Sequence, residues 1–200
     1  MSFLINFEGL HGCGKTTQAK LLETTLNSRS ITTEYISSAD KPLSSFAMDF
    51  LKKNGSQDPE TLFFLALAND FSLGERFKEG EKVFILDRYI YTSIASTYAA
   101  GKPLHWIEEC LTPFLYPNLA FFIDVPANVA SQRKNSSASR LERGAYQRGR
   151  GDSDFMKYQT CLREAYLTIA SHDKRLIVID GTKSTTDIHT EIMAVVGRGL

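Results

Sequence analysis

The sequence predicts an α/β fold, a parallel sheet covered by helices on both faces, and three observations carry that expectation. Short apolar runs rich in β-branched and aromatic residues recur at 3–7, 31–36, 83–86, 119–125 and 176–179, each separated from the next by enough chain for a helix. Residues 9–16 read GLHGCGKT, a complete GxxxxGK[ST] phosphate loop, placed between the first apolar run and a helix-like stretch. Three of the runs, VFILD, AFFID and LIVID, end in aspartate, at Asp87, Asp124 and Asp180. In a parallel sheet those ends share the carboxyl edge with the phosphate loop, and ligands of open α/β sheets bind along that edge.

Taken in order, the strand at 3–7 feeds the loop, and the loop opens a helix at 15–27. Glycines at 9, 12 and 14 let the backbone turn its N–H groups toward one point, with Leu10, His11 and Cys13 between them as spacers. Lys15 adds a mobile ammonium, Thr16 offers a hydroxyl to Mg²⁺, and Thr17 continues into the helix, which together make a seat for a nucleoside triphosphate. Beyond the second run, helical patterning is expected at 43–52 and 59–76. After the third it recurs at 92–99 and 105–115, after the fourth at 128–134 and 154–170, and after the fifth at 186–196.

Two hundred residues, 42% of them hydrophobic and without a linker or repeat, fit one domain over 1–200. A formal charge of zero gives no global reason for a nucleic-acid or membrane surface, so the expected partner is small. No run approaches the ~20 apolar residues of a membrane span, the N-terminus has no basic targeting region, and the expected location is cytoplasmic. Three cysteines without CxxC spacing argue against a disulfide framework and against a zinc site.

An apolar strand ending in Asp is what a metal-side carboxylate beside bound phosphates requires. Asp87 is the choice among the three because Arg88 follows it directly, placing a cation for the transferring phosphoryl group beside an acid for the metal. Asp124 and Asp180 remain alternatives. Residues 133–150 read RKNSSASRLERGAYQRGR, six basic residues against one acid. We read residues 134–151 as a basic lid that brings arginines to the developing charge and excludes water, with Arg140, Arg143, Arg148 and Arg150 all candidates for phosphate contact. A solvated loop and a nucleic-acid contact are the competing readings.

FEGLHGCGKTTQ at 7–18, LDRYIYTSIASTYAAG at 86–101, YPNLAFFIDVPANVASQR at 116–133, the arginine-bearing segment and VIDGT at 178–182 stand in the order and spacing of one family. The chain resembles the thymidylate kinases, nucleoside monophosphate kinases of the phosphate-loop class. TEYISSAD at 33–40 and ANDFS at 68–72 are similar to a divergent, archaeal-type branch. The resemblance implies a five-stranded parallel sheet of order 2-3-1-4-5, a homodimer, and transfer of the ATP γ-phosphoryl group to a nucleoside monophosphate with Mg²⁺, most simply dTMP to dTDP. It further implies that Lys15 holds the donor phosphates, that Arg88 bridges donor and acceptor, and that Arg133, Gly181 and Thr182 flank the donor base. An aromatic of the third helix would stack on the acceptor base, Phe64 first and Phe63 second, and Tyr98 would lie beside the acceptor sugar.

Departures fall on the acceptor side. His11 stands where the family usually has an acid, Asp70 where an arginine usually follows the helix asparagine, and Asp40, Lys41 and Pro42 where an Arg-Glu-Pro pattern is usual. The expected chemistry is in-line attack of a monophosphate oxygen on the γ-phosphorus, driven by positioning and electrostatics without a general base. Two rivals stand beside it. A kinase of a deoxynucleoside or other small hydroxyl would need a base from Glu8, Glu34 or Asp87, and a nucleotide-binding regulator would keep the seat and transfer slowly.

Overall fold

The computed structural model describes residues 2–54, 58–133 and 152–200. Five strands, β1 (Phe3–Glu8), β2 (Thr33–Ser37), β3 (Val83–Asp87), β4 (Leu119–Asp124) and β5 (Leu176–Asp180), form one sheet of order β2-β3-β1-β4-β5. Every neighbouring pair is parallel, with Ile5 opposite Ile85 on one side and Leu119 on the other. This is the α/β architecture and the strand order that the sequence led us to expect.

The central strands are near-continuous apolar runs because both faces are covered, and all of β3 is buried. Helices α1 (Lys15–Ser28) and α8 (Thr185–Gly199) pack on each other, while α7 (Asp152–His172) packs on α4 (Ile90–Ala99) and α6 (Ala127–Arg133). The layers meet the sheet through aromatic pairs. The Phe122 ring stacks on Tyr166 of α7 at 4.7 Å, and within the sheet Phe7 meets Phe121 at 5.5 Å. The buried apolar residues form one cluster.

Two helices are shorter than their patterning suggests. Helix α3 (Pro59–Phe71) begins at Pro59 with Asp58 capping Thr61 N at 2.8 Å, and ends where the Ser72 hydroxyl bonds back to Asn69 O at 2.7 Å. The chain then turns through Gly74 and makes a single 3₁₀ turn at Arg76–Lys78, where the patterning had suggested α-helix as far as residue 76. Helix α5 (Leu104–Cys110) stops five residues before the expected end, because Leu111 N bonds to Glu108 O in a tighter turn and Pro113 has no N–H to continue the ladder. Helix α2 (Ser44–Asn54) completes the set.

Parallel strands place Glu8, Ser37, Asp87, Asp124 and Asp180 on one edge. The phosphate loop leaves β1 at that edge, so the site is built there.

Candidate active site

The site is organised by a buried carboxylate. Glu8, the last residue of β1, accepts hydrogen bonds from Asn6 Nδ2 at 2.9 Å, Tyr89 N at 3.0 Å, Thr92 N at 3.2 Å, Thr92 Oγ1 at 2.6 Å and the Tyr166 hydroxyl at 2.8 Å. At the start of α4, Tyr89 N is satisfied by Glu8 from another strand, and Thr92 N is shared between Glu8 and Tyr89 O at 3.0 Å. β1, α4 and α7 are thereby locked together under the loop. Burial first, and then the Glu8 charge, push the Tyr166 hydroxyl well above its ordinary pKa, so it stays a donor.

The loop itself rests on left-handed glycines. Gly9 has φ 140° and Gly14 φ 104°, and Gly9 sits against β4 with no room for a side chain. Lys15 is buried and donates to Leu10 O at 2.8 Å, its ammonium 3.8 Å from Cys13 Sγ. Desolvation, with Arg88 adding to it, lowers its pKa, which is the environment of a cation waiting for an anion.

Asp87 faces this loop. Its Oδ2 accepts from Thr16 Oγ1 at 2.5 Å and from the Tyr35 hydroxyl at 3.1 Å. The other two strand-end aspartates are engaged elsewhere. Asp124 holds Arg163 in a two-point pair at 2.6 and 2.7 Å, and Asp180 accepts from Thr182 N at 2.9 Å and Thr182 Oγ1 at 2.6 Å. Arg88 follows Asp87 in the left-handed region, φ 74°, an unusual conformation for a side chain-bearing residue. Its N–H is held by Phe7 O at 3.1 Å and its Nη1 reaches Thr92 Oγ1 at 3.3 Å.

Two cavities meet at the loop. A cleft of about 890 Å³ is bounded by the loop, α2, α3, α4 and α7, and takes in His11, Lys15, Thr16, Asp87 and Arg88. The second, about 440 Å³, lies toward α6 and α8, with Arg133 and Lys183 on its wall. Gly12, Gly14 and Thr17 belong to both. Arg133 Nη1 donates to Gly181 O at 2.9 Å, and Gly181 is so tightly seated that a Cβ would come within 2.5 Å of Val125 Cγ2. Thr182 does not reach the cavity wall, since its hydroxyl is turned to Asp180.

On the acceptor side the placements differ from expectation at two residues. Phe63 is buried on the wall of the large cleft, whereas Phe64, the first choice, is 52% exposed and meets Trp106 edge-on at 6.0 Å outside it. Helical phase is the reason: Phe63, Ala66 and Asp70 share the cleft face and Phe64 is turned about 100° away. Tyr98 packs against the core and does not line the cleft, while Thr92, Ser93 and Ser96 of the same helix do. Asp70 lines the cleft and is 3% exposed, paired with Lys41. Ser93 on the cleft lining and Tyr35 beside Asp87 were not singled out from the sequence, and Lys41 only as part of the Asp40–Lys41–Pro42 departure. The i, i+3, i+7 spacing on α3 was the available signal for Phe63 over Phe64, and the others had none. Arg140, Arg143, Arg148, Arg150 and the rest of the expected lid at 134–151 lie outside the described residues.

Among the described residues no helix is long and apolar enough to cross a membrane, and no group of three or more His, Cys, Asp and Glu is placed to hold a metal. A family profile described as thymidylate kinase matches residues 7–192. The chain is 29% identical to a thymidylate kinase of Fervidobacterium nodosum, covering 96% of each chain. It is 31% identical to a probable thymidylate kinase 2 of Saccharolobus solfataricus over 98% of this chain and 95% of that one. It is 26% identical to a probable thymidylate kinase of Sulfolobus acidocaldarius over 97% and 96%. Phosphate loop, strand-end Asp-Arg pair and twin cavities therefore come with full-length kin, and the chain belongs to the thymidylate kinase family.

Proposed function

We propose that this protein is a single-domain phosphotransferase that moves the γ-phosphoryl group of ATP to dTMP, giving dTDP. The observation that carries the reading is the meeting of the two cavities at Gly12, Gly14 and Thr17 of the phosphate loop, next to Lys15, Thr16, Asp87 and Arg88 on the wall of the larger one, which gives two nucleotides access to one loop. ATP occupies the smaller cavity with its base beside Arg133, which Gly181 O holds in place, and the acceptor occupies the larger one beside Phe63.

Lys15 exchanges Leu10 O for a phosphate oxygen, a short movement for a flexible ammonium already inside the loop. Arg88 neutralises charge between donor and acceptor, and lid arginines from Arg140, Arg143, Arg148 and Arg150 complete the shell. Thr16 Oγ1 and Asp87 Oδ2 form an oxygen pair suited to Mg²⁺, which takes one or two protein oxygens and completes its shell with phosphates and water. Held by Thr16 and Asp87, Mg²⁺ would supply positive charge to offset that of the phosphates. No base is required, because the attacking monophosphate is already anionic. The saturated contacts of Glu8 weigh against a hydroxyl kinase that would need it as a base. The setting we propose is the cytoplasm, in keeping with free thiols at Cys13, Cys110 and Cys161.

The test is ADP release from Mg·ATP across a panel of nucleoside monophosphates and nucleosides, with Lys15→Ala as control. Turnover with dTMP that falls at least about 10³-fold in the variant is expected, since the charge on the phosphoryl group loses its main fixed cation. Turnover only with nucleosides, or none above the control, overturns the reading.

The homodimer belongs to the same proposal. Phe64 and Phe71, one face of α3, are 52% and 58% exposed, Leu115 is 52% exposed, and Phe71 meets Phe114 edge-on at 5.3 Å. A row of exposed aromatics this large fits a self-complementary contact. Phe71→Glu is expected to convert a dimer to a monomer in sedimentation velocity, and a wild-type protein that sediments as a monomer removes this part of the proposal.

A further inference from the structure

We propose that Tyr35, on the edge strand β2, is a positioning residue for the cation seat: its hydroxyl holds the Asp87 carboxylate in the orientation that meets the divalent cation arriving with ATP. This deepens the phosphotransferase reading above and rests on the metal seat proposed there for Thr16 and Asp87.

The reach is set by strand register. Ser37 stands opposite Asp87 and Tyr35 opposite Ile85, so Tyr35 and Asp87 lie on the same face, two positions apart along neighbouring parallel strands. Two positions are about 6.6 Å of strand, a span that a phenol bridges and a serine or threonine hydroxyl does not. The Tyr35 hydroxyl arrives 3.1 Å from Asp87 Oδ2, the oxygen that also accepts from Thr16 Oγ1 at 2.5 Å. The Lys20 ammonium lies 5.8 Å from the centre of the Tyr35 ring. Thr16 and Lys20 are one turn apart on α1, so one face of that helix meets both the ring and the shared oxygen.

A lone carboxylate at a strand end would not keep this orientation. The χ2 torsion of aspartate is soft, and Lys15 and Arg88 both feel the charge of Asp87. Direct pairing with either cation would turn the carboxylate away from an incoming ion and neutralise it in advance. Two neutral hydroxyls hold it instead and leave its charge for the metal. The two are not equivalent. Thr16 is itself a proposed ligand, so its hydroxyl changes partner when the ion is present. Tyr35 is not a ligand, and its contact is the one that persists with and without the metal.

Packing alone does not explain the residue. The Tyr35 ring is half-buried against the core, a role that valine, isoleucine or phenylalanine fills equally well on an edge strand. The hydroxyl of a half-buried tyrosine has water within reach, yet this one is turned inward to a carboxylate that is 8% exposed. What phenylalanine would lack at this position is the contact with Asp87.

The experiment is calorimetric titration of ATP into the full-length protein, in EDTA and in excess Mg²⁺, for the wild type, Tyr35→Phe, Asp87→Asn and the double variant. Mg²⁺ is expected to strengthen ATP binding to the wild type. Tyr35→Phe should bind ATP in EDTA within about twofold of wild type and lose about tenfold of the strengthening by Mg²⁺, the lower end of what groups orienting a metal ligand contribute. In the Asp87→Asn background the same change should alter neither affinity by more than about twofold, because the contact acts only through that carboxylate. An unchanged Mg²⁺ effect in Tyr35→Phe, or an equal loss with Asp87 already replaced, overturns the proposal. A Tyr35→Phe protein that does not fold overturns it too, since the hydroxyl would then serve the fold. A wild type whose ATP affinity ignores Mg²⁺ overturns it together with the metal seat. A wild type that binds Mg·ATP more tightly than ATP but transfers to no nucleotide removes the kinase reading alone, and the comparison of Tyr35→Phe with wild type still decides this one.

Discussion

Arg88→Ala is expected to lower kcat by about 10³-fold or more while leaving the Kd for ATP within a few-fold of wild type, the scale set by arginines that meet the charge of a transferring phosphoryl group. In free energy that loss is about 4 kcal/mol of transition-state stabilisation. The split arises from position. Lys15, Thr16 and the loop amides are expected to hold ATP without help from Arg88, which lines the large cleft and reaches toward Thr92 of α4. Strain offers a second reading of the same residue. Arg88 holds φ 74°, and its N–H bond to Phe7 O fixes it there at the turn from β3 into α4. Arg88→Gly and Arg88→Ala both lack the guanidinium and differ only in tolerance of that backbone, so the glycine variant should be more stable than the alanine variant by about 1 kcal/mol. Both should be equally inactive. Steady-state kinetics, ATP titration and urea denaturation check the three parts, and near-normal turnover of either variant at saturating substrates would remove Arg88 from the reaction.

What the sequence made legible was local. The loop, the strands and Asp87 were readable because each is announced within a few residues: glycines at a helix start, apolar runs, an acid at a strand end followed by a cation. The freedom of Asp87 to face the cleft depends on distant partners, since Asp124 is taken by Arg163, 39 positions away, and nothing in AFFID announces it. Lys41 and Asp70 show the limit most clearly. Taken position by position, Asp70 and Lys41 are two separate departures from the family's pattern on the acceptor side. Brought together across 29 positions they form one buried ion pair on the lining of the large cleft. The order of Phe64 before Phe63 had a different origin: the helix was recognised but its phase was not fixed, and Ala66 and Asp70 on the cleft face put Phe63, not Phe64, on that face. Tyr98 was carried by resemblance alone, and α4 turns it to the core while presenting Ser93 and Ser96.

Gly9→Ala is expected to lower stability by about 3 kcal/mol and to weaken ATP binding beyond about 100-fold, because overpacking and backbone strain act at one atom. A Cβ on Gly9 would lie 2.7 Å from Cys13 Sγ and 2.7 Å from Ile123 O. The sulfur is buried and 3.8 Å from the Lys15 ammonium, so moving it disturbs the loop, and the carbonyl belongs to β4 and cannot yield without breaking the sheet. At φ 140° the backbone is also one that an L-residue resists. The loop must therefore lift off the strand, and its amides and Lys15 lift with it. Gly14→Ala separates the two causes. Its φ of 104° is similarly unfavourable, yet nothing lies within 4 Å of the added carbon. That variant should lose about 1–2 kcal/mol from the backbone alone. Urea denaturation of the pair, with ATP titration of each, reads the difference. Equal losses at the two positions would mean that conformation and not contact with β4 fixes the loop, and a wild-type midpoint for Gly9→Ala would mean that the loop is not seated on β4 at all.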